Sequence, residues 1–206
     1  MISIIDYGMG NIHSLKGAIK KIAPSLEVII SNDPNIISES KLIFLPGVGH
    51  FKSAMESLDS LDLNNLIRNL VLVENKPIMG ICLGMQLLFS TSTEGGLING
   101  LNLIPGEVTK LNTGKDKIPH IGFNSVIPPI ESSMFNRVHS YDFYFVHSYC
   151  VHELFLNNAY IAYCKCNGEF VAAVEYEHIW GTQFHPEKSQ GEGLRIIKNF
   201  IDIYGK

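Results

Sequence analysis

No basic cluster longer than Lys20-Lys21 occurs in this chain, and its formal net charge is −4. Without a positive patch to displace counterions from a phosphate backbone, no nucleic-acid partner is expected. No apolar run approaches the ~18 residues that a membrane-crossing helix needs, so no membrane association is expected either. The opening Met1-Ile2-Ser3-Ile4-Ile5-Asp6 lacks the basic start and the length of a secretory signal, and the expected location is the cytoplasm. The four cysteines, at 82, 150, 164 and 166, form no C-x-x-C pair, which leaves zinc and dithiol redox chemistry without a motif. Cys164 and Cys166 fall in a strand-like run, Tyr160 to Cys166, where alternation puts both on one face as reduced packing residues. A dinucleotide fingerprint is also missing: in Asp6-Tyr7-Gly8-Met9-Gly10-Asn11-Ile12-His13 a histidine stands where the third glycine belongs. No Gly-Lys-Ser or Gly-Lys-Thr phosphate loop occurs, and His50, His120, His139, His152 and His178 share no metal-ligand spacing. Neither a metal nor a cofactor is expected.

Apolar residues are abundant instead, at 46% of the 206 residues against 17% charged. That balance fits one compact domain over residues 1–206 with a sizeable core and spare surface for a partner. The first half alternates β-branched runs, Ile2 to Ile5, Val28 to Ile30, Leu42 to Leu45 and Pro77 to Ile81, with helical patterns such as Ser14 to Ile22 and Leu63 to Val73. Such alternation predicts an α/β fold: a parallel, doubly wound sheet covered by helices on both faces, in three layers. Between Gly106 and Gln183 come strand-like runs separated by turn signals at Asn112-Thr113-Gly114, Pro128-Pro129, Asn157-Asn158 and Asn167-Gly168. These are expected to add antiparallel strands to the same sheet, before a closing helix from Glu192 to Tyr204.

Three short motifs follow predicted strands. In Gly80-Ile81-Cys82-Leu83-Gly84-Met85-Gln86 a thiol sits at the apex of a tight strand-to-helix turn, ahead of a helix-like run from Met85 to Phe89. Glycines two residues to either side suit a nucleophile on a strained corner, and the helix start favours the thiolate. A second turn, Leu45-Pro46-Gly47-Val48-Gly49-His50, would face it across the carboxyl ends of the strands. The Val48 and Leu83 N–H groups are candidates for an oxyanion hole. The third, Trp180-Gly181-Thr182-Gln183-Phe184-His185-Pro186-Glu187-Lys188, ends in a histidine and a carboxylate that could serve as base and orienter. Read singly, each has a bland alternative: a packing cysteine, an ordinary turn, a surface histidine beside a glutamate. Together they supply nucleophile, oxyanion donors and base.

In combination, Pro46-Gly47-Val48-Gly49, Gly80 to Gln86 and Gln183-Phe184-His185-Pro186-Glu187-Lys188-Ser189 resemble the class I (triad) glutamine amidotransferases. Over its whole length the chain is similar, more narrowly, to the glutaminase subunits of imidazole glycerol phosphate synthases. That narrower likeness rests on Gly8-Met9-Gly10-Asn11, Pro119-His120-Ile121-Gly122-Phe123-Asn124, Tyr144-Phe145-Val146-His147-Ser148-Tyr149, and Gly-Met-Gln where other class I members usually read Gly-His-Gln. The resemblance implies a flavodoxin-like fold with Cys82 as nucleophile, His185 as general acid and base, and Glu187 as its orienting carboxylate. It further implies that Gly47, Gly49, Gln86, His147, Ser148 and Tyr149 hold glutamine, and that Asn11, His120, Phe123, Asn124, Tyr144 and Lys188 lie near the surface meeting a barrel-shaped cyclase partner in a heterodimer. Phe123 departs from the family's usual tryptophan. Three alternatives stay open: a related ammonia-donating subunit that serves a surface-sugar amidotransferase, a non-catalytic interaction module on the same fold, and a cysteine peptidase.

Overall fold

The computed structural model describes residues 1–112, 118–166 and 168–205. Its first half is wound as the apolar periodicity predicts. Strands β1 (Ile2–Ile5), β2 (Val28–Ser31), β3 (Ile43–Gly47) and β4 (Ile78–Cys82) alternate with α1 (Ile12–Ile22), α2 (Pro34–Glu39), α3 (Phe51–Ser60) and α4 (Leu63–Leu72). Every residue of β1, β3 and β4 is buried, as expected of parallel strands covered on both faces. Successive side chains on one strand therefore feed two different cores: Ile2, Ile4, Phe44, Met79 and Ile81 enter one, while Ile5, Ile43, Leu45 and Ile78 enter the other. Asn11 caps α1 by accepting the Ser14 N–H at 3.4 Å, and Asp33 caps α2 with Pro34 in the first helical turn.

After β4 comes α5 (Leu83–Leu87), then β5 (Phe89–Ser92), β6 (Ile98–Asn99), β7 (Ile104–Lys110), β8 (His120–Ile127), β9 (Asp142–His147), β10 (Tyr149–Cys150), β11 (Ala159–Lys165), β12 (Glu169–Tyr176) and β13 (Ile179–Thr182). A 3₁₀ turn, Pro186–Lys188, leads into the last helix, α6 (Gln190–Tyr204). The main sheet has nine strands in the order β2-β1-β3-β4-β13-β12-β11-β8-β9. Pairing is parallel from β2 through β13 and antiparallel from β13 to β9.

Two expectations need correction. The second half does not all join one sheet, because β10, β7, β5 and β6 form a separate four-stranded sheet in that order. The helix after Cys82 also stops at Leu87, and Phe89 starts β5 rather than ending the helix. Phe89 and Thr91, aromatic and β-branched, favour the strand. Pro128-Pro129 and Asn157-Asn158 fall between strands as expected, whereas Thr113, Gly114 and Asn167 lie outside the described residues.

Between β9 and β10 the chain changes sheets across the single residue Ser148: β9 pairs with β8 in the large sheet, and β10 with β7 in the small one. Cys164 is buried and Cys166 only partly so, and among the described residues neither forms a disulfide.

Candidate active site

Register brings the first two motifs together before any side chain is considered. Gly47 at the end of β3 pairs directly with Cys82 at the end of β4, and β13 lies on the other side of β4. All three motifs therefore emerge at the carboxyl edge of neighbouring parallel strands, where ligands bind in such sheets. Cys82 itself has φ 55° and ψ −112°, a conformation that costs a non-glycine residue about 1–3 kcal/mol. The glycines around it are required by contact. A Cβ on Gly84 would lie 1.7 Å from the Leu45 carbonyl oxygen, and one on Gly80 would lie 2.6 Å from that of Gly84. Leu83 opens α5, so its N–H has no intrahelical acceptor and stands next to the thiol.

The Cys82 sulfur is 3.7 Å from the Val146 carbonyl oxygen and 3.8 Å from Gln183 Nε2. It faces a cavity of about 340 Å³, within the size range of small-ligand sites. Of the residues singled out from the sequence, Val48, Gly49, Cys82, Leu83, Gln86, His147, Ser148 and Tyr149 line this cavity. Gly47 lies beneath it, where a Cβ would come within 2.4 Å of the Tyr7 hydroxyl.

His185 and Glu187 sit outside the cavity, with side chains 3% and 4% exposed. His185 Nδ1 is 2.8 Å from Glu187 Oε1, and Nε2 is buried with no hydrogen-bond partner among the described residues. With Nδ1–H committed to the carboxylate, Nε2 is the nitrogen left for proton transfer. Burial pushes the imidazole pKa down, yet the Cys82 sulfur and the Glu187 carboxylate outweigh it and raise the pKa to about 9. A protonated ring beside the Cys82 sulfur is thereby favoured. The loop is pinned from two sides: the His185 N–H donates to the Tyr144 carbonyl at 2.9 Å, and Ser189 Oγ bridges the His185 carbonyl and the Tyr144 N–H.

The residues that resemblance assigns to a partner surface separate into two groups. Phe123 is half exposed and meets the Tyr144 ring edge-on at 5.6 Å, and Lys188 Nζ stands 5.8 Å over that same ring, 6.5 Å from His185 centroid to centroid. Asn11 is exposed at the start of α1 and Asn124 is half-buried. His120, by contrast, is only 3% exposed. Three residues near the thiol went unnoticed in the sequence. Glu94 lines the cavity and accepts the Phe51 N–H at 2.8 Å, Gln183 contacts the sulfur, and Tyr7 is buried with a hydroxyl that meets no partner among the described residues. Glu94 belongs to no local pattern, Tyr7 and Gln183 stand in motifs that gave them no role of their own, and only the fold brings all three there. Among the described residues no group of three His, Cys, Asp or Glu could hold a metal, and no helix is long and apolar enough to cross a membrane.

The family model for glutamine amidotransferase class-I matches residues 3–203. The chain belongs to the class I glutamine amidotransferases. Among curated relatives it is 44% identical over 205 residues to the imidazole glycerol phosphate synthase subunit HisH 2 of Vibrio vulnificus (strain YJ016), covering 98% of this chain and 94% of that one. It is 41% identical over 203 residues to the subunit HisH of Methanothermobacter thermautotrophicus, covering 98% of each. Proteins that diverge far in sequence keep this fold: a solved glutamine amidotransferase superposes with a TM-score of 0.78 at 15% identity, covering 100% of this chain and 99% of that one. A putative GMP synthase subunit from Thermoplasma acidophilum superposes with a TM-score of 0.71 at 20% identity, covering 99% and 93%.

Proposed function

We propose that this class I amidotransferase is the glutaminase subunit of an imidazole glycerol phosphate synthase in histidine biosynthesis. It hydrolyses glutamine to glutamate and ammonia and hands the ammonia to a cyclase subunit. The observation that carries the chemistry is His185, bonded through Nδ1 to the Glu187 carboxylate at 2.8 Å and kept protonated by that carboxylate and the Cys82 sulfur, behind a cavity of amino-acid size. Relatives of 40% identity and more along the whole chain support the pathway.

The Cys82 thiolate attacks the side-chain amide carbon of glutamine, forming the S–C bond, and the Val48 and Leu83 N–H groups receive the oxyanion. His185 gives its Nε2 proton to the departing nitrogen as the C–N bond breaks, releasing ammonia and leaving a thioester. Water deprotonated by the now neutral His185 then cleaves the thioester, giving glutamate and the free thiol. Gln86, His147, Ser148 and Tyr149 shape the pocket in which glutamine is held, with Gly47 and Gly49 giving the oxyanion turn its close approach.

A docking surface for a barrel-shaped cyclase, forming a heterodimer, is supported by β8. Its outward side chains Ile121, Phe123 and Ile127 are apolar yet 60%, 50% and 52% exposed, beside Tyr144 and Lys188. Glutamate release is expected to be slow for the isolated chain and to rise when the cyclase carrying its ligand is added. Full activity of the chain alone sinks the gating claim, and a Cys82→Ala variant that still releases glutamate sinks the nucleophile. Growth of a histidine auxotroph on this gene checks the pathway. Glutaminase activity without such growth would move the chain to a surface-sugar amidotransferase.

A further inference from the structure

Strand β8 is inverted for a strand near a sheet edge. Its outward face is apolar, while His120 and Asn124 point the other way with only Gly122 between them. His120 lies against the rings of Phe145 and Phe170, at 5.1 and 5.7 Å between centroids. An imidazole placed there is costly unless both nitrogens are bonded, and both are. Nδ1 is 3.0 Å from His147 Nε2, its cross-strand partner, and Nε2 is 2.7 Å from Asn124 Nδ2. His147 Nδ1 in turn is 2.9 Å from the Tyr149 carbonyl oxygen.

The direction of every bond follows from that last acceptor. A carbonyl only accepts, so His147 Nδ1 carries a hydrogen. Burial lowers the His147 pKa to about 3 and lowers that of His120 too, so each ring is neutral and holds one hydrogen. His147 Nε2 is therefore bare and must accept from His120 Nδ1–H, which leaves His120 Nε2 bare to accept from the Asn124 amide. Any reversal would set two lone pairs against each other at 3.0 Å. The Tyr149 carbonyl at the end of the chain also accepts the Gln86 Nε2–H at 2.7 Å, and Gln86 donates to Gln183, which touches the Cys82 sulfur.

We infer that His120 and Asn124 are positioning residues for the glutaminase reaction. Through a one-way hydrogen-bond chain they hold the ring of His147, a wall of the cavity beside Cys82 whose tautomer the Tyr149 carbonyl sets, in a single orientation, and so brace the Tyr149 carbonyl that Gln86 also engages. This rests on the glutaminase reading of the cavity.

Two substitutions separate this role from packing. His120→Phe keeps a ring among the phenyl groups and deletes both nitrogens. His120→Asn deletes the ring and returns an amide donor near the place of Nδ1. With the cyclase partner present, kcat/KM for glutamine is expected to fall about tenfold in the Phe variant, chiefly through KM, because a buried acceptor is left bare. The Asn variant should recover most of that loss. A side chain that only packs would give the opposite order, and that order, or a Phe variant with unchanged kinetics, overturns the inference. Asn124→Ala, on a half-buried residue that threatens folding less, should move KM in the same direction by a smaller factor, and unchanged KM there counts against the chain. Nitrogen-15 spectra should show His147 as the Nδ1–H tautomer in the unsubstituted protein, with the signal of its bare Nε2 moving in His120→Phe as that nitrogen loses its donor; a mixture of tautomers in the unsubstituted protein, or an Nε2 signal that does not move, overturns the inference. The spectra need no turnover. An unsubstituted protein with no glutaminase activity would thus count against the functional reading alone, while the spectra still judge the hydrogen-bond chain.

Discussion

At the scale of single residues, the site combines strain at one position with close fit at its neighbours. Gly84→Ala would drive a methyl group into the Leu45 carbonyl, and that backbone cannot yield without shifting β3. The variant is expected to lose soluble folded protein or several degrees of melting temperature together with activity, whereas an alanine at Gly17, which meets nothing within 4 Å, should leave activity intact. Glu187→Gln removes a charge that raises the His185 pKa, so that pKa should fall when followed by NMR. The same change should cut kcat about 10²–10⁴-fold, the range set by losing acid–base catalysis, and a smaller loss would show that Glu187 does not orient the ring. Tyr7 presents the reverse situation: its buried hydroxyl meets no partner among the described residues, and burial pushes its pKa far up. Tyr7→Phe should raise thermal stability by about 1–3 kcal/mol, the cost of an unpaired polar group. The corner glycines were legible because the tight turn places them at fixed offsets from the thiol, although what forbids a side chain at Gly84 is the Leu45 carbonyl of the neighbouring strand. The inward placement of His120 was not, because it depends on which face of β8 is covered.

At the scale of elements, the parallel half could be read from periodicity since β1, β3 and β4 are buried throughout and all four of its first strands read as short, mostly apolar runs. The second sheet escaped because β5 follows α5 with only Leu88 between them, and four residues carry too little pattern to mark a change of element. Another long-range anchor was equally hidden. Glu175 on β12 is buried and accepts from Ser132 Oγ at 2.6 Å and from the Met134 N–H at 2.9 Å. Asn199 on α6 holds the same segment by donating to the Met134 and Asn136 carbonyls, both at 2.8 Å. Glu175→Ala strips two charge-assisted bonds from buried donors and is expected to cost about 3 kcal/mol in urea titrations, while Glu175→Gln should cost less. Equal costs would argue that the cavity, not the charge, matters.

At the scale of the whole molecule, two histidines give stability opposite slopes with pH. His185 binds its proton more tightly when folded, up to about 9 against a usual 6.5, so its contribution is full below 6.5 and is lost as pH rises toward 9. His147 resists protonation down to about 3, so its contribution is full above 6.5 and is lost as pH falls toward 3. Urea midpoints of the unsubstituted protein should therefore decline on both sides of 6.5, and His147→Gln should flatten the acid limb alone. If it leaves that limb unchanged, other groups govern acid unfolding. The passage of the chain from the large sheet to the small one at Ser148 has a mechanical consequence. The pocket wall at His147, Ser148 and Tyr149 is a seam between two hydrogen-bonded bodies, so a molecule seated there braces both. Amide deuterium uptake at Cys150 and along β7 should accordingly slow together with uptake along β9 when a slowly reacting glutamine analogue fills the cavity.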